Sequence, residues 1–274
     1  MLQDIRPHRL DISFHPAAPG PKSRALVFDR DQLLAAVHRD QLALPRVADC
    51  TGAERATFLF RLDETDFFLL PAPAAAAGFS MQPVALLRRA GPKETAFAAL
   101  TGYQLYKWYR DNRYCGRCGG PLIPLAGERA LRCDRCGNTV YPRIAPVVIV
   151  GVTDGDRLLM TRYAGGDYRD WALVAGFVEV GETPEDAARR EVLEETGVQI
   201  RDLRYVAAQP WAFSESLLLG FFARLEGPAA LTVQRSELAE AAWIPRAEIH
   251  HRPEDFSLTG ELIDRFVRGE LPWK

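Results

Sequence analysis

Apolar and polar positions follow two rhythms along this chain. Before residue 92 the apolar runs are short, as in ATFLFRL (56–62) and DFFLLPA (66–72). Pro, Gly and Asp break them, which predicts strands and loops. LPAPAAAAGF (70–79) reads as a loop or short spacer. KETAFAALTGYQLYKWYRDN (93–112) changes to a helical period, with Phe97, Leu100, Gln104 and Trp108 near one face and Leu105 and Tyr109 beside it. APVVIVGVTDGDRLLMTRY (145–163) predicts two strands around an Asp-Gly turn, and its apolar run VVIVGV suggests burial on both faces. Further strands are expected in WALVAGFVEV, LRYVAAQPWAF, SLLLGFFARLEG and AAWIP, and a closing helix in GELIDRFVRGE. No internal repeat interrupts this order.

Composition adds bounds. The chain has 274 residues, 47% hydrophobic and 26% charged, enough to bury more than one core. A net charge of −2 gives no global pull toward nucleic acid or membrane. No apolar run is long enough to span a bilayer. The N-terminal residues lack a basic-then-apolar leader pattern, and GELPWK carries no retention or import tail. The expectation is a soluble, cytoplasmic protein.

Four of the five cysteines form CGRC (Cys115, Cys118) and CDRC (Cys133, Cys136), with 14 residues between the pairs. Two-residue spacing lets both sulfurs of a turn face one tetrahedral ion, and a glycine follows each pair (Gly119, Gly137), as a tight knuckle needs. Four thiolates fill the coordination of Zn²⁺, so such a site is structural. Two redox or disulfide pairs are the other reading. Cys50 is left over and reads as a small buried apolar residue. The ribbon divides the chain into a mixed α/β domain over residues 1–92, a helix plus ribbon over 93–140, and an α/β domain over 141–274.

GFVEVGETPEDAARREVLEETGV (176–198) is densely acidic. Thr183 suits an N-cap, Pro184 the first helical position, and Asp186 stands where a capping box places its acid. Gly197 is the expected stop, which predicts a helix over 184–196. Ala187, Ala188, Val192 and the stem of Leu193 supply its packed side. Glu191, Glu194 and Glu195, at i, i+3 and i+4, are expected to share the opposite face. Like charges at that spacing cost a few tenths of a kcal/mol per pair. A solvated acidic face is the simplest reading of such a run. It leaves the lack of Lys partners and the glycine-bearing flanks unexplained. A divalent cation explains both: Mg²⁺ takes hard oxygen ligands and fills its remaining positions with water and phosphate. Arg190 is placed to pair with Glu182 and hold the preceding loop against the helix.

Gly176, five residues, Glu182, seven residues, then Arg190-Glu191-Val192-x-Glu194-Glu195-x-Gly197-Val198 resembles the Nudix hydrolase box without a gap. The resemblance implies an α/β/α sandwich with a mixed sheet and Mg²⁺- or Mn²⁺-dependent hydrolysis of a nucleoside diphosphate linked to another group. It makes Glu191, Glu194 and Glu195 metal ligands, one of them a general base, and adds the Ala175 carbonyl as a ligand and Phe177 as a residue facing substrate.

Three further features resemble the NADH pyrophosphatase family: the ribbon directly ahead of the box, YPRIAP (141–146), and QPWAF (209–213). The family signature Ser-Gln-Pro-Trp-Pro-Phe-Pro-x-Ser appears here as Ala208-Gln-Pro-Trp-Ala212-Phe-Ser214-Glu215-Ser216, so one serine and two prolines are lost. The resemblance implies hydrolysis of the pyrophosphate of NADH or NAD to nicotinamide mononucleotide and AMP, removal of NAD caps from RNA, and a homodimer. Tyr141 and Phe177 become candidates to sandwich a base. Gln209, Trp211, Phe213 and Ser216 become substrate-binding candidates, and Thr259 stands where that family's late helix has alanine. Glu128 resembles a substrate-contacting position, and Glu237 in SELAEAAW a further metal ligand. Trp211 and Phe213 also alternate as core residues of a strand would. Tyr141 equally suits packing on the ribbon, and Glu128 a solvated loop. None of the five histidines has a metal or triad partner at recognisable spacing.

From Lys107 to Arg143 eight Lys or Arg face three acids, a local +5. This suits the phosphates of a capped RNA, or simply solvated arginines on a ribbon. A Nudix pyrophosphatase acting on ADP-ribose or another dinucleotide needs the same box. A non-catalytic nucleotide sensor is expected to lose a box glutamate, and none is lost.

Overall fold

Aromatic and aliphatic runs become strands on both sides of the ribbon in a computed structural model that describes residues 1–15, 17–165, 170–250 and 256–273. The chain divides into two compact units, Leu2–Arg143 and Ile144–Lys274 with Met1.

In the first unit, seven strands form one sheet: Leu10–Asp11 (β1), Arg24–Asp29 (β2), Gln32–His38 (β3), Gln41–Ala43 (β4), Thr57–Leu62 (β5), Thr65–Leu70 (β6) and Ser80–Pro83 (β7). Their order is β1-β5-β6-β2-β3-β4, with β7 beside β3. Residues 71–79 form no strand, but Ala74 and Ala76 are buried with Phe58, Phe68 and Val27. Helix α1, Lys93–Asp111, follows its predicted span. Its buried face is broader than Phe97, Leu100, Gln104 and Trp108 suggest. Phe97 and Gln104 stay partly exposed, while Ala96, Ala99 and Gly102 are buried. These small residues let the helix backbone approach β2 closely: a Cβ on Gly102 would lie 2.2 Å from Leu26 Cδ1.

Leu122–Pro124 (β8), Leu131–Cys133 (β9) and Thr139–Val140 (β10) make the antiparallel ribbon of the same unit. Arg129, between the cysteine pairs, reaches the β-sheet, donating from one terminal nitrogen to the carbonyls of Leu59 at 2.5 Å and Ile12 at 3.0 Å.

The second unit is a mixed sheet of Ala145–Asp154 (β11), Arg157–Tyr163 (β12), Val174–Phe177 (β13), Gln199–Trp211 (β14), Ser216–Glu226 (β15) and Leu238–Pro245 (β16). The order is β14-β15-β11-β12-β16, with β13 also on β11. β11 runs parallel to β15 and antiparallel to β12 and β13. Period-two alternation divides its apolar run between two cores. Val148, Val150 and Val152 pack with Ala187, Ala188 and Val192 of α2, Pro184–Thr196. Val147 and Ile149 pack with Leu258, Leu262 and Phe266 of α3, Leu258–Arg268. Helices therefore cover both faces, as the expected α/β/α sandwich requires. Each fully buried Val or Leu contributes about 1.5–3 kcal/mol.

Two expectations need correction. Leu193 is 47% exposed and not part of the packed side of α2. Phe213 does not continue a strand with Trp211. β14 ends at Trp211, and residues 212–215 form a turn with Glu215 at φ 57°, so that Trp211 pairs across the hairpin with Ser216. His8 lies 2.7 Å from Asp63, a pairing the sequence separation of 55 conceals. His251 lies outside the described residues. No helix among the described residues is long and apolar enough to cross a membrane.

Candidate active site

The helix bearing the acids starts where its sequence dictates. The Thr183 hydroxyl accepts from the Asp186 N–H at 3.1 Å, and Gly197 ends the helix at φ 75°, a left-handed conformation glycine adopts without strain. The three glutamates do not share one solvated face. Glu191 is 9% and Glu195 2% exposed, whereas Glu194 is open to solvent.

Burial of Glu191 depends on Gly176 in β13. A Cβ at Gly176 would lie 1.9 Å from the Glu191 carboxyl carbon, so the carboxyl occupies the space left by the missing side chain. Burial raises the Glu191 pKa from its ordinary value, against the lowering effect of Arg190. For Glu195, burial followed by the charges of Glu191, Glu237 and Glu194 pushes the carboxyl up to about 8. One Glu195 oxygen, Oε2, is buried without a hydrogen-bond partner.

Arg190 binds both oxygens of Glu182, through Nε at 2.6 Å and a terminal nitrogen at 2.9 Å. The same terminal nitrogen donates to the Phe177 carbonyl at 3.0 Å, and the other donates to Glu191 at 2.8 Å and Glu194 at 3.0 Å. The Arg190 hydrogen bonds, with the Glu179 N–H, hold Glu182 down to about 2. One guanidinium thus fixes the loop to the helix and partly neutralises Glu191 and Glu194.

The donor set fits a hard divalent cation: carboxylate oxygens, one of them orphaned and buried. The glutamates are not drawn together to the degree the cysteines are. Among the described residues, Cys115, Cys118, Cys133 and Cys136 form the group of metal-ligating side chains whose atoms all lie within 4.8 Å. Two sulfur pairs, Cys115–Cys136 and Cys118–Cys133, are 3.6 Å apart. That is far longer than a disulfide and close to the ~3.8 Å that tetrahedral Zn–S bonds of about 2.3 Å impose. Gly119 (φ 72°) and Gly137 (φ 71°) donate to the carbonyls of Cys115 and Cys133, closing the two knuckles. The Arg117 N–H at 3.4 Å is the largest of the effects that draw the Cys115 thiol down to about 6.

The remaining candidates fall into groups. Ala175 lies in β13 opposite Ile149, and Phe177, two residues further along that strand, is 51% exposed. Glu237 is exposed in the turn before β16 and influences both buried glutamates. Gln209 is fully buried, and both ends of its amide are spent within the fold: Nε2 donates to the Phe256 carbonyl at 2.8 Å, and Oε1 accepts from the Leu258 N–H at 2.6 Å. Ser216 is 2% exposed, its hydroxyl engaged by Ser214. Trp211 packs on the α3 core, Phe213 is half-buried in the hairpin turn, and Thr259 is half-buried in the first turn of α3. In the other unit, Tyr141 is 57% exposed and its hydroxyl lies 3.3 Å from an exposed Glu128. Gln234, which contacts both Glu237 and the Glu195 backbone, has no sequence signal beyond its spacing from Glu237.

Residues 142–266 match the NUDIX domain model and residues 110–141 the NADH pyrophosphatase zinc ribbon domain model. The "NAD-capped RNA hydrolase NudC" of Citrobacter koseri is 39% identical over 169 residues, 61% of this chain and 64% of that protein. The protein of the same name from Pseudomonas fluorescens is 38% identical over 168 residues, 61% and 60% of the two chains. The chain thus spans less than two thirds of the length of these relatives. A NUDIX hydrolase crystal structure from Nitrosomonas europaea, 24% identical, superposes with a TM-score of 0.50 over 57% of this chain and 90% of that one, a likeness of fold. The chain thus carries a Nudix domain directly behind a zinc ribbon domain of the NADH pyrophosphatase type.

Proposed function

We propose that this chain is a divalent-metal-dependent hydrolase of the pyrophosphate bond of NADH and NAD, giving reduced or oxidised nicotinamide mononucleotide and AMP, and that it also removes NAD caps from RNA. The observation that carries the reading is the buried, unpartnered Glu195 oxygen beside Glu191 under Gly176. An ionised carboxylate so placed is costly without a cation.

Glu191, Glu194, Glu195 and Glu237, with the Ala175 carbonyl, would hold Mg²⁺ or Mn²⁺. When bound, that ion supplies charge neutralisation at phosphorus and a more acidic water. Glu195 is our choice of general base, because it is the more buried of the two enclosed glutamates and one of its oxygens has no partner in the fold. One P–O bond of the bridge breaks, one forms to the water oxygen, and the water's proton passes to the base. Arg190 positions the glutamates. Phe177 and Tyr141 each offer an exposed aromatic face to a base. Glu128 is held beside Tyr141, and Trp211, Phe213 and Thr259 are further candidates near the hairpin tip and α3. Gln209 and Ser216 contribute through the fold.

Structural Zn²⁺ in the ribbon, a homodimer and a cytoplasmic location complete the reading, the last favoured by four reduced thiols. The local +5 between Lys107 and Arg143 suits RNA phosphates, in which case affinity for a capped oligonucleotide is more salt-sensitive than affinity for NADH. A second reading, ADP-ribose as preferred substrate, is favoured by the altered hairpin tip. Ala212 and Ser214 replace prolines there, and the Ser214 and Ser216 hydroxyls bond at 2.9 Å. Incubation with NADH, NAD and ADP-ribose under Mg²⁺ or Mn²⁺, followed by chromatography, separates the readings. Fastest release of AMP and reduced mononucleotide from NADH is expected. Faster ADP-ribose cleavage would establish the second reading, and no turnover of any substrate would defeat both.

A further inference from the structure

The turn that carries Glu237 is tied to the C-terminal end of α2 through Gln234, and the segment leading into it through Thr232. The Gln234 N–H donates to the Glu195 carbonyl at 3.0 Å, and the Thr232 N–H donates to the Thr196 carbonyl at 2.9 Å. These carbonyls belong to the last helical turn, which has no intrahelical donors for them. The strap lies close over the helix end: a Cβ at Gly197 would come within 2.9 Å of Thr232 Cβ. The Gln234 carbonyl then accepts from the N–H groups of Glu237 at 3.1 Å and Leu238 at 3.0 Å, closing the turn. Leu238 is wholly buried and opens β16, so the turn is anchored on its far side as well. Finally, Gln234 Nε2 donates to Glu237 Oε1 at 3.2 Å. A single residue therefore grips the acid-bearing helix by its backbone and Glu237 by backbone and side chain together.

This arrangement opposes electrostatics. Glu237 adds a like charge beside Glu191 and Glu195, and a flexible turn would relieve the repulsion by swinging away. An amide donor on one carboxylate oxygen holds the carboxylate in place and leaves the second oxygen open to a cation. Arg190 spends its hydrogen bonds on Glu182, Glu191, Glu194 and the Phe177 carbonyl and gives none to Glu237.

We propose that Gln234 is the positioning residue that holds Glu237 at the divalent-cation site it forms with Glu191 and Glu195. The inference rests on the metal-dependent reading of that site. Gln234 acts through Glu237 and through the Glu195 backbone.

The test is Mn²⁺ titration of the zinc-loaded protein, followed by electron paramagnetic resonance, for the wild type, Q234A, E237Q, the Q234A/E237Q double variant and E195Q. Thermal unfolding is measured without Mn²⁺ on the same samples. Loss of an outer-sphere partner of a ligand is expected to weaken Mn²⁺ binding about tenfold in Q234A. The metal-free melting temperature should stay within a few degrees, and the double variant should bind no more weakly than E237Q alone. Wild-type Mn²⁺ affinity in Q234A would overturn the inference, as would losses that simply add in the double variant. If the wild type and E195Q bind Mn²⁺ alike, the metal reading of the site falls and takes this inference with it. A wild type that loses affinity in E195Q but not in Q234A sinks the inference alone.

Discussion

The Glu191 carboxyl fills the space beside Gly176 that any other residue's β-carbon would claim, 1.9 Å from where that carbon would stand. The contact is with the far end of a flexible side chain, so Gly176→Ala should move the carboxyl and leave the sheet in place. Displacement of a reacting group by about 1 Å costs about 100-fold in rate. We expect Gly176→Ala to melt within a few degrees of the wild type while losing about that factor in kcat/KM for NADH. A large fall in melting temperature with activity retained would contradict this role for the glycine.

Glu195 links activity to a pH dependence of stability. Its carboxyl titrates near 8 in the fold against an ordinary 4.5, so the folded chain holds a proton that the unfolded chain releases between those values. Stability of the Mg²⁺- and Mn²⁺-free protein should therefore fall as pH rises from 4.5 to 8, by an amount on the order of a few kcal/mol. Glu195→Gln removes this slope and stabilises the metal-free protein at pH 8, while turnover drops by about 100-fold or more. Added Mg²⁺ or Mn²⁺ should flatten the wild-type slope, because it binds the ionised form. Denaturant melts across pH, with and without Mg²⁺, check each point. A wild-type slope that survives in Glu195→Gln would place its origin elsewhere.

Arg190 and Glu182 give the opposite sign. The Glu182 carboxyl, held near 2, contributes stability that is present above its ordinary 4.5 and is lost as pH falls through 2. Arg190→Gln should abolish that acid limb and lower activity, since Glu191 and Glu194 lose their shared cation as well. Lysine should restore little, because a point charge cannot span both Glu182 oxygens and three further acceptors. Activity of Arg190→Lys near the wild type would show that charge alone suffices.

The ribbon predicts a metal count. One zinc per chain is expected by elemental analysis, and Cys133→Ser should lose it together with the protection of the remaining thiols from alkylation. Sulfurs 3.6 Å apart that reacted freely in the zinc-loaded wild type would mean the four thiols serve redox chemistry instead.

How much of this was legible depended on whether local or distant residues decide the outcome. The Thr183 cap, the Gly197 stop and the two cysteine knuckles are set by residues within a few positions, and the sequence pattern places them correctly. The apolar run of β11 likewise announces burial on both faces. Helical spacing puts Glu191, Glu194 and Glu195 on one face but cannot reveal that Glu191 and Glu195 are buried there, since the glycine that makes room for the Glu191 carboxyl lies fifteen residues earlier. The Gly102 approach to Leu26, the Gln234 tie and the His8–Asp63 pair share that character: each joins segments whose proximity only the tertiary fold creates.

Gln209 offers the sharpest separation of a structural role from a binding one. Family likeness makes it a substrate residue, yet it is fully buried and its amide bridges the Phe256 carbonyl and the Leu258 N–H at the start of α3. The Ser257 cap of that helix, accepting from Gly260 at 3.0 Å, depends on the same backbone. Gln209→Leu keeps much of the volume but strands one buried donor and one buried acceptor, at about 1–3 kcal/mol each. Gln209→Glu keeps the acceptor for Leu258 and turns the donor toward Phe256 into a second acceptor, adding a buried charge at neutral pH. Both variants should therefore melt earlier, Gln209→Glu the more so as pH rises, while KM for NADH of the protein that remains folded stays close to the wild-type value. A KM raised tenfold at unchanged melting temperature would return Gln209 to the substrate.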